Sequence, residues 1–348
     1  MRVLMGLGYY EPGGFATVIN MLSKYLMNNG INVVVAARVV RMRAPDHVNL
    51  VKLTPEEFAK EAEHYDVVHI HTSYPYTNAL VKRGLTTNLV FTWHGYAPLI
   101  YVPGIINKIT GLYIKHIAYK SLIPRIKFIT AISNYAREQL RKLYGVDSIV
   151  IPNGGVNLSQ FSECNTALRD KYAGHRPVIF NATAYNNLKG GDLLIKFFKV
   201  IKRRFPKTLL IAVGIHNYIN KNKLSNMYMR DIVSLSLMPF NELIKYYCAA
   251  DFYLLTSRIE SFGLPIIESF AAGTPVIALD RPDARREHIL NSGAGFLFKN
   301  EEELLRAVEE VMNNRDYYSR RAIEYAKGFD WSVITQRYIE LYKKVLGE

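Results

Sequence analysis

Ser257-Arg258-Ile259-Glu260-Ser261-Phe262-Gly263-Leu264-Pro265-Ile266-Ile267-Glu268, continued by Ala271-Ala272-Gly273-Thr274-Pro275-Val276, is the stretch from which the fold is read. An apolar strand at residues 252–256 ends just before it, and another at 275–279 begins at its far end. Between them Gly263 permits a tight turn, and Pro265 opens a helical run with fixed backbone geometry and no N–H to strand. The start of a helix presents unpaired N–H groups and the positive end of the peptide dipoles, so this turn is a ready anion site. Glu260 stands before the turn, where its carboxylate can accept hydrogen bonds from sugar hydroxyls. Glu268 lies about one helical turn further in, placed for a ribose diol. Spacing alone is met equally well by a helix start with one favourable and one exposed glutamate.

Working outward, the same alternation of strand and helix fills the chain. Strands are expected at 178–181, 208–213 and 232–235, with helices at 191–204, 241–248 and 265–272. Lys202 is read as lying on an exposed helix face. The amino-terminal half repeats the pattern, with strands at 3–7, 32–37, 67–71, 89–93, 128–132 and 148–151. A helix over 15–29 is closed by Gly30. Thr54-Pro55-Glu56-Glu57 reads as a capping box, and Ser133 as the N-cap of a helix over 134–144. Alternation of this kind implies α/β architecture with parallel sheets and right-handed crossovers. The expectation is two doubly wound, Rossmann-like domains facing across a cleft, with ligands beyond the carboxyl ends of the strands. The first domain is expected to span residues 1–165, with a terminal helix at about 331–348 packing back on it, and the second 166–330.

The bulk numbers agree. A chain of 348 residues suits two domains, and 49% hydrophobic with 21% charged residues is an ordinary globular composition. Cys164 and Cys248 cannot form a disulfide framework, which fits a reducing compartment. The first residues read as a strand, not a signal peptide. Residues 84–107 lack acidic and basic side chains, but Asn88, His94, Gly95, Pro98 and Pro103 interrupt them, so a soluble cytoplasmic protein is expected. The net charge of +14 favours anionic partners. No acidic residue occurs over 67–137, where Lys82, Arg83, Lys108, Lys115, Lys120, Arg125, Lys127 and Arg137 fall. That stretch, with its tyrosines, suits docking on an anionic inner membrane face. A solvated basic face beside ordinary core reads equally well, and no nucleic-acid module is recognised.

The segment from Glu260 to Glu268 resembles the Glu, seven residues, Glu motif of the family 4 retaining glycosyltransferases, which have the GT-B fold. The likeness extends through Phe262-Gly263-Leu264-Pro265 and the Ala-Ala-Gly-Thr-Pro-Val run. By resemblance Glu260 and the backbone of Phe262, Gly263 and Leu264 hold the donor sugar, and Glu268 holds the ribose. Glu11-Pro12-Gly13-Gly14 resembles the family's glycine loop, which assigns Gly13 and Gly14 to the donor phosphates or the acceptor; a plain strand-to-helix turn is the alternative. Glu11 stands where a dinucleotide fingerprint counted from Gly6 needs glycine, which weakens a dehydrogenase reading.

Asp66-Val67-Val68-His69-Ile70-His71 and Phe91-Thr92-Trp93-His94-Gly95 resemble the family's strand ends. His94 is the candidate contact to the sugar near the reacting carbon, against the plain alternative of a buried, satisfied histidine. His69 and His71 share a strand face and could share a metal, but no third ligand of suitable spacing is evident and the family needs none, so no metal and no cofactor are expected. Ile151-Pro152-Asn153-Gly154 resembles the family's interdomain segment, with Gly155 additional and Asn157 where aspartate is usual. Trp331 and the helix after it resemble the terminal helix that crosses back.

One feature departs from the pattern. Lys189-Gly190 matches the family's phosphate-binding pair, but the arginine expected a few residues earlier is replaced within Ala182-Thr183-Ala184. Thr183 therefore stands at the donor site, and either Arg258 or another basic residue substitutes for the arginine or donor turnover is slow.

The resemblance implies transfer of a hexose from a UDP- or GDP-sugar to a glycan or lipid-linked acceptor, with retention by front-face substitution. His94, Glu260 and Lys189 are its expected catalytic residues. A nucleotide-sugar epimerase on the same architecture and a non-catalytic nucleotide-sugar binder are the rivals.

Overall fold

The computed structural model describes residues 1–96, 98, 104–162, 164, 167–182, 187–215 and 230–348. These form two compact units, one of Met1–Gly154 with Trp331–Glu348, the other of Gly155–Asp330.

In the first unit the strands are β1 (Arg2–Tyr10), β2 (Asn32–Val40), β3 (Leu50–Lys52), β4 (Val67–His71), β5 (Leu89–Trp93), β6 (Phe128–Ala131) and β7 (Ile149–Val150). They form one parallel sheet in the order β3-β2-β1-β4-β5-β6-β7. The second unit holds β8 (Val178–Asn181), β9 (Leu209–Val213), β10 (Ile232–Leu235), β11 (Phe252–Leu255), β12 (Val276–Leu279) and β13 (Gly295–Phe298). Its parallel order is β10-β9-β8-β11-β12-β13. Parallel strands covered by helices on both faces are largely apolar, and β4, β5, β9 and β11 are buried at every position. Strand order reverses between β1 and β4 in one sheet and between β8 and β11 in the other. Crossovers leave in opposite directions at such points, opening a crevice at the carboxyl ends.

Local signals held where they rested on cap chemistry. Thr54 Oγ1 accepts from the Glu57 N–H while the Thr54 N–H donates to Glu57, closing the capping box. Ser133 Oγ accepts from Ala136 N–H at 3.0 Å. The sequence reading did not anticipate β3 or β13. The first has three residues and the second begins at Gly295, so neither carries much periodicity.

The structural boundary differs from the expected residue 165. Residues 155 onward belong to the second unit because Gly155 N–H donates to Phe329 O, Val156 bridges Asp330, and Leu158 N–H donates to Asp330. The doubled glycine marks the crossing. A Cβ on Gly154 would lie 2.4 Å from the Trp331 ring, and one on Gly155 2.6 Å from Ile267. The terminal helix Trp331–Leu346 returns to the first unit as expected, packing on the helix Gly14–Asn28. One expectation is corrected. Cys164 and Cys248 form a disulfide, tying the segment after the crossing to the helix Phe240–Ala249, so the cysteines no longer argue for a reducing compartment.

Candidate functional site

In the second unit the carboxyl ends of β8 and β11 carry two loops that are stitched together. Gly190 has φ +66°, and a Cβ there would lie 2.1 Å from the Thr256 carbonyl oxygen, so no side chain fits. Thr256 Oγ1 donates to Gly190 O at 3.0 Å, and Arg258 N–H to Leu188 O at 2.8 Å. This close approach brings Lys189 to Glu260: Nζ and Oε1 are 2.8 Å apart, with the lysine side chain 26% and the glutamate 7% exposed. Burial alone would raise the Glu260 carboxyl, but Lys189, Ser257 and Arg285 together hold it below its ordinary value.

Gly263 caps the helix Leu264–Ala271 in the left-handed region at φ +98°, with Pro265 in its first turn. The loop before it is braced from beneath. Asp283 accepts from Glu260 N–H at 2.9 Å, and fully buried Arg285 donates to Asp283, Leu279 O and Ser257 O. His288 Nε2 lies 2.9 Å from Phe262 O, and burial pushes its pKa down to about 4, so the neutral ring donates there. Glu268 accepts from Tyr247 Oη at 2.7 Å, and burial pushes it up to about 7.

Arg258 forms a two-pronged pair with Asp192 at 2.9 and 2.5 Å, so its fork is already engaged. Thr183 lies outside the described residues. Lys202 is not on an exposed face, since it is paired with Asp231 at 2.8 Å. Sequence reasoning missed Asp283, Arg285 and His288. An Asp-Ala-Arg run reads as an ordinary helix start, and only burial shows that its charges must be paired.

The first unit offers a different chemistry. Gly13, with φ 150°, caps the helix Gly14–Asn28, and no atom would crowd a Cβ there. His69 and His71 do share a face, with ring centroids 4.1 Å apart. Both nitrogens of His69 are taken, however, by Tyr342 Oη at 2.7 Å and Thr92 Oγ1 at 2.6 Å. His71 Nδ1 meets His94 Nε2 at 2.9 Å, and Phe15 covers the His94 ring at 4.4 Å. Burial pushes His69 and His94 down to about 3 and His71 well below its ordinary value, so all three are neutral at pH 7. Among the described residues no three His, Cys, Asp or Glu side chains are grouped to hold a metal.

Two doubly wound parallel sheets, each in its own unit, are the plan of the GT-B fold. Family models match along most of the chain: "Glycosyltransferase Family 4" over residues 12–159 and "Glycosyl transferases group 1" over 168–329. The chain belongs to the family 4-type glycosyltransferases. It is 27% identical over 306 residues to a glycosyltransferase of Methanocaldococcus jannaschii, covering 82% of this chain and 77% of that one. It is 26% identical to the phosphatidyl-myo-inositol mannosyltransferase of Mycolicibacterium smegmatis, over 81% of this chain and 72% of the relative. The sucrose-phosphate synthase of Thermosynechococcus elongatus superposes with a TM-score of 0.78 at 18% identity, covering 99% of each chain.

Proposed function

We propose that this glycosyltransferase moves a hexose from a UDP- or GDP-sugar to a hydroxyl of a glycan or lipid-linked acceptor, with retention at the anomeric carbon and no metal. The observation that carries the reading is the Lys189–Glu260 pair, held 2.8 Å apart where strand order reverses. A lysine ammonium has three donors, so Lys189 can keep Glu260 and still neutralise a diphosphate. The N–H groups after Gly263 supply further positive character without a cation. Glu260 accepts from the sugar hydroxyls, Glu268 from the ribose diol, and we assign His94, fixed by His71, to the transferred sugar.

In the reaction the bond from anomeric carbon to diphosphate oxygen breaks, and the acceptor oxygen bonds on the same face. The acceptor proton passes to a diphosphate oxygen. Lys189 and the helix start stabilise the charge that develops on the leaving group. With the Arg258 guanidinium paired to Asp192, Lys189 is the main cation for that charge.

No helix among the described residues is long and apolar enough to cross a membrane. We place the enzyme at the cytoplasmic membrane face, reached through residues 67–137. The M. smegmatis relative's name gives it a phosphatidyl-myo-inositol acceptor, which supports a phosphate-bearing polyol here.

The test is a thermal-shift screen of UDP- and GDP-sugars with and without EDTA, since a ligand of the folded state raises its stability. Stabilisation by one nucleotide class, unchanged by EDTA, is expected. Stabilisation without transfer to any acceptor would favour a non-catalytic binder, and free interconverted nucleotide sugar an epimerase.

A further inference from the structure

The second unit has a pocket of about 540 Å³ that the glycosyl-transfer reading does not use. Arg169, Arg176 and Arg315 line it together. Their positions place it at the amino ends of the strands. Arg176 stands two residues before β8, and Arg169 and Arg315 both approach Asp251, the residue just before β11. Lys189 and Glu260 follow the carboxyl ends of those same two strands, so the two sites lie at opposite ends of one sheet. The remaining wall is the turn from the helix Glu301–Asn313 into the helix Arg315–Ala326.

Like charges that share a cavity repel, and either carboxylates or a bound anion must offset them. The carboxylates here fall short. Asp251 is fully buried and largely spent, accepting from Val178 N–H at 2.7 Å and from Arg169 Nη2 at 2.6 Å. Arg315 Nε lies 3.9 Å from it, too far for a hydrogen bond, and is buried without a partner. Arg315 is instead anchored by Nη2, which donates to Ala250 O at 3.1 Å. The second carboxylate, Asp316, is exposed in the first turn of the helix Arg315–Ala326. Among the described residues Arg176 has no ion pair and no side-chain hydrogen bond. Burial and the neighbouring Arg169 guanidinium lower the Arg315 pKa from its ordinary value, against the opposing pull of Asp251 and Asp316. The positive charge is therefore left under-compensated.

The geometry also selects the kind of anion. A guanidinium offers N–H donors in a planar fork that matches two oxygens of a phosphate. Arg169 and Arg315 are each fixed from behind, by Asp251 and by Ala250 O, which limits the ordering a ligand must impose on them. The helix Arg315–Ala326 starts at the pocket and adds the positive end of its dipole. Asn313 and Asn314 border the same space with uncharged amides, suited to hydroxyls on whatever carries the phosphate.

We propose that this pocket binds the phosphate of a small phosphate-bearing anion between Arg169, Arg176 and Arg315, at a site separate from that of the sugar donor. The proposal stands whether or not the donor site is correctly read, because it uses none of the same residues.

The test is calorimetric titration of inorganic pyrophosphate into wild type, Arg176→Ala, Lys189→Ala and the double variant. Ionic strength is held constant with chloride, so that general screening is the same throughout. Pyrophosphate also resembles the diphosphate of a donor, and the two single variants separate the sites. Wild type should take up two equivalents. Lys189→Ala should lose one and keep the other. Arg176→Ala should keep the first and bind the second roughly tenfold more weakly, with an unchanged melting temperature because Arg176 has no partner to lose. The double variant should bind neither tightly. Wild-type affinity in Arg176→Ala, loss of all binding in Lys189→Ala, or no binding by wild type overturns the pocket. A single equivalent that is sensitive to Arg176→Ala and indifferent to Lys189→Ala upholds the pocket and counts against the donor reading, so either can fail alone.

Discussion

The two sheets reverse their strand order in the same way, yet the carboxyl ends at the two reversals hold opposite chemistry. In the second unit the loops after β8 and β11 are dense with paired charge: Lys189 with Glu260, Arg258 with Asp192, Arg285 with Asp283. In the first unit the ends of β4 and β5 carry three buried neutral histidines and two buried, unpartnered polar atoms, His71 Nε2 and Ser73 Oγ. A site that stabilises a departing diphosphate needs fixed charge, and pairing is what makes that charge tolerable when buried. A site that orients a hydroxyl depends chiefly on hydrogen-bonding atoms. Fold alone sets the place of each site; the side chains after each strand set what it can do.

The largest expected effect concerns how each unit is held. Only the second has a covalent tie among the described residues, Cys164 to Cys248, closing a separation of 84 residues. Removing it with Cys164→Ser should cost up to about 4 kcal/mol of stability. Unfolding in denaturant with and without dithiothreitol reads this: reductant should destabilise wild type and leave the variant unchanged. Two titratable thiols in unreduced wild type would remove the tie from the comparison.

Next is the charge itself. Lys189→Ala takes away the phosphate cation and leaves Glu260 buried without its partner. Turnover should fall about 100- to 1,000-fold. Arg203→Ala, an exposed residue on the helix Gly191–Arg204, is the control and should change little. Equal, small losses from both would break the assignment of this site to leaving-group charge.

A smaller effect is expected where the first unit satisfies its polar groups. Tyr342→Phe removes the hydrogen bond from the terminal helix to His69 Nδ1 and should cost about 1–2 kcal/mol, read by thermal unfolding, with donor binding intact.

The same contrast explains what the sequence could and could not disclose. The β-α alternation, the capping box at Thr54 and the glycine-capped start at Gly263 are local patterns, because backbone geometry alone demands those residues there. The Lys189–Glu260 pair was legible only as two separate motifs. Their meeting depends on Gly190 letting two loops touch, a contact between residues far apart in the chain. Arg285 and His288 brace the site from within and carry no local signature. The disulfide was invisible for the same reason, since two cysteines have no spacing rule until the fold brings them together. The exposed isoleucines were hidden differently: an apolar run at 105–122 reads as core, and only the fold shows that part of it faces outward.

The smallest effect, on pH dependence, is the sharpest test of the charged side of the comparison. Burial pushes Glu268 up to about 7, above the ordinary carboxyl value, so folding favours its protonated form. The stability this contributes is full below the ordinary value and is lost as pH rises through about 7. Binding should run the other way. A ribose diol donates two hydroxyl protons, and the carboxylate accepts them better than the acid does. Donor affinity should therefore rise a few-fold between pH 6 and 8, roughly 1 kcal/mol or less, while the melting temperature without donor drifts down. Glu268→Gln stays neutral throughout, so both trends should flatten in it together. If affinity in wild type is level across that range while the melting temperature still drifts, Glu268 titrates without touching the donor. Its bond to Tyr247 would then be structural, and the ribose would have to be held elsewhere.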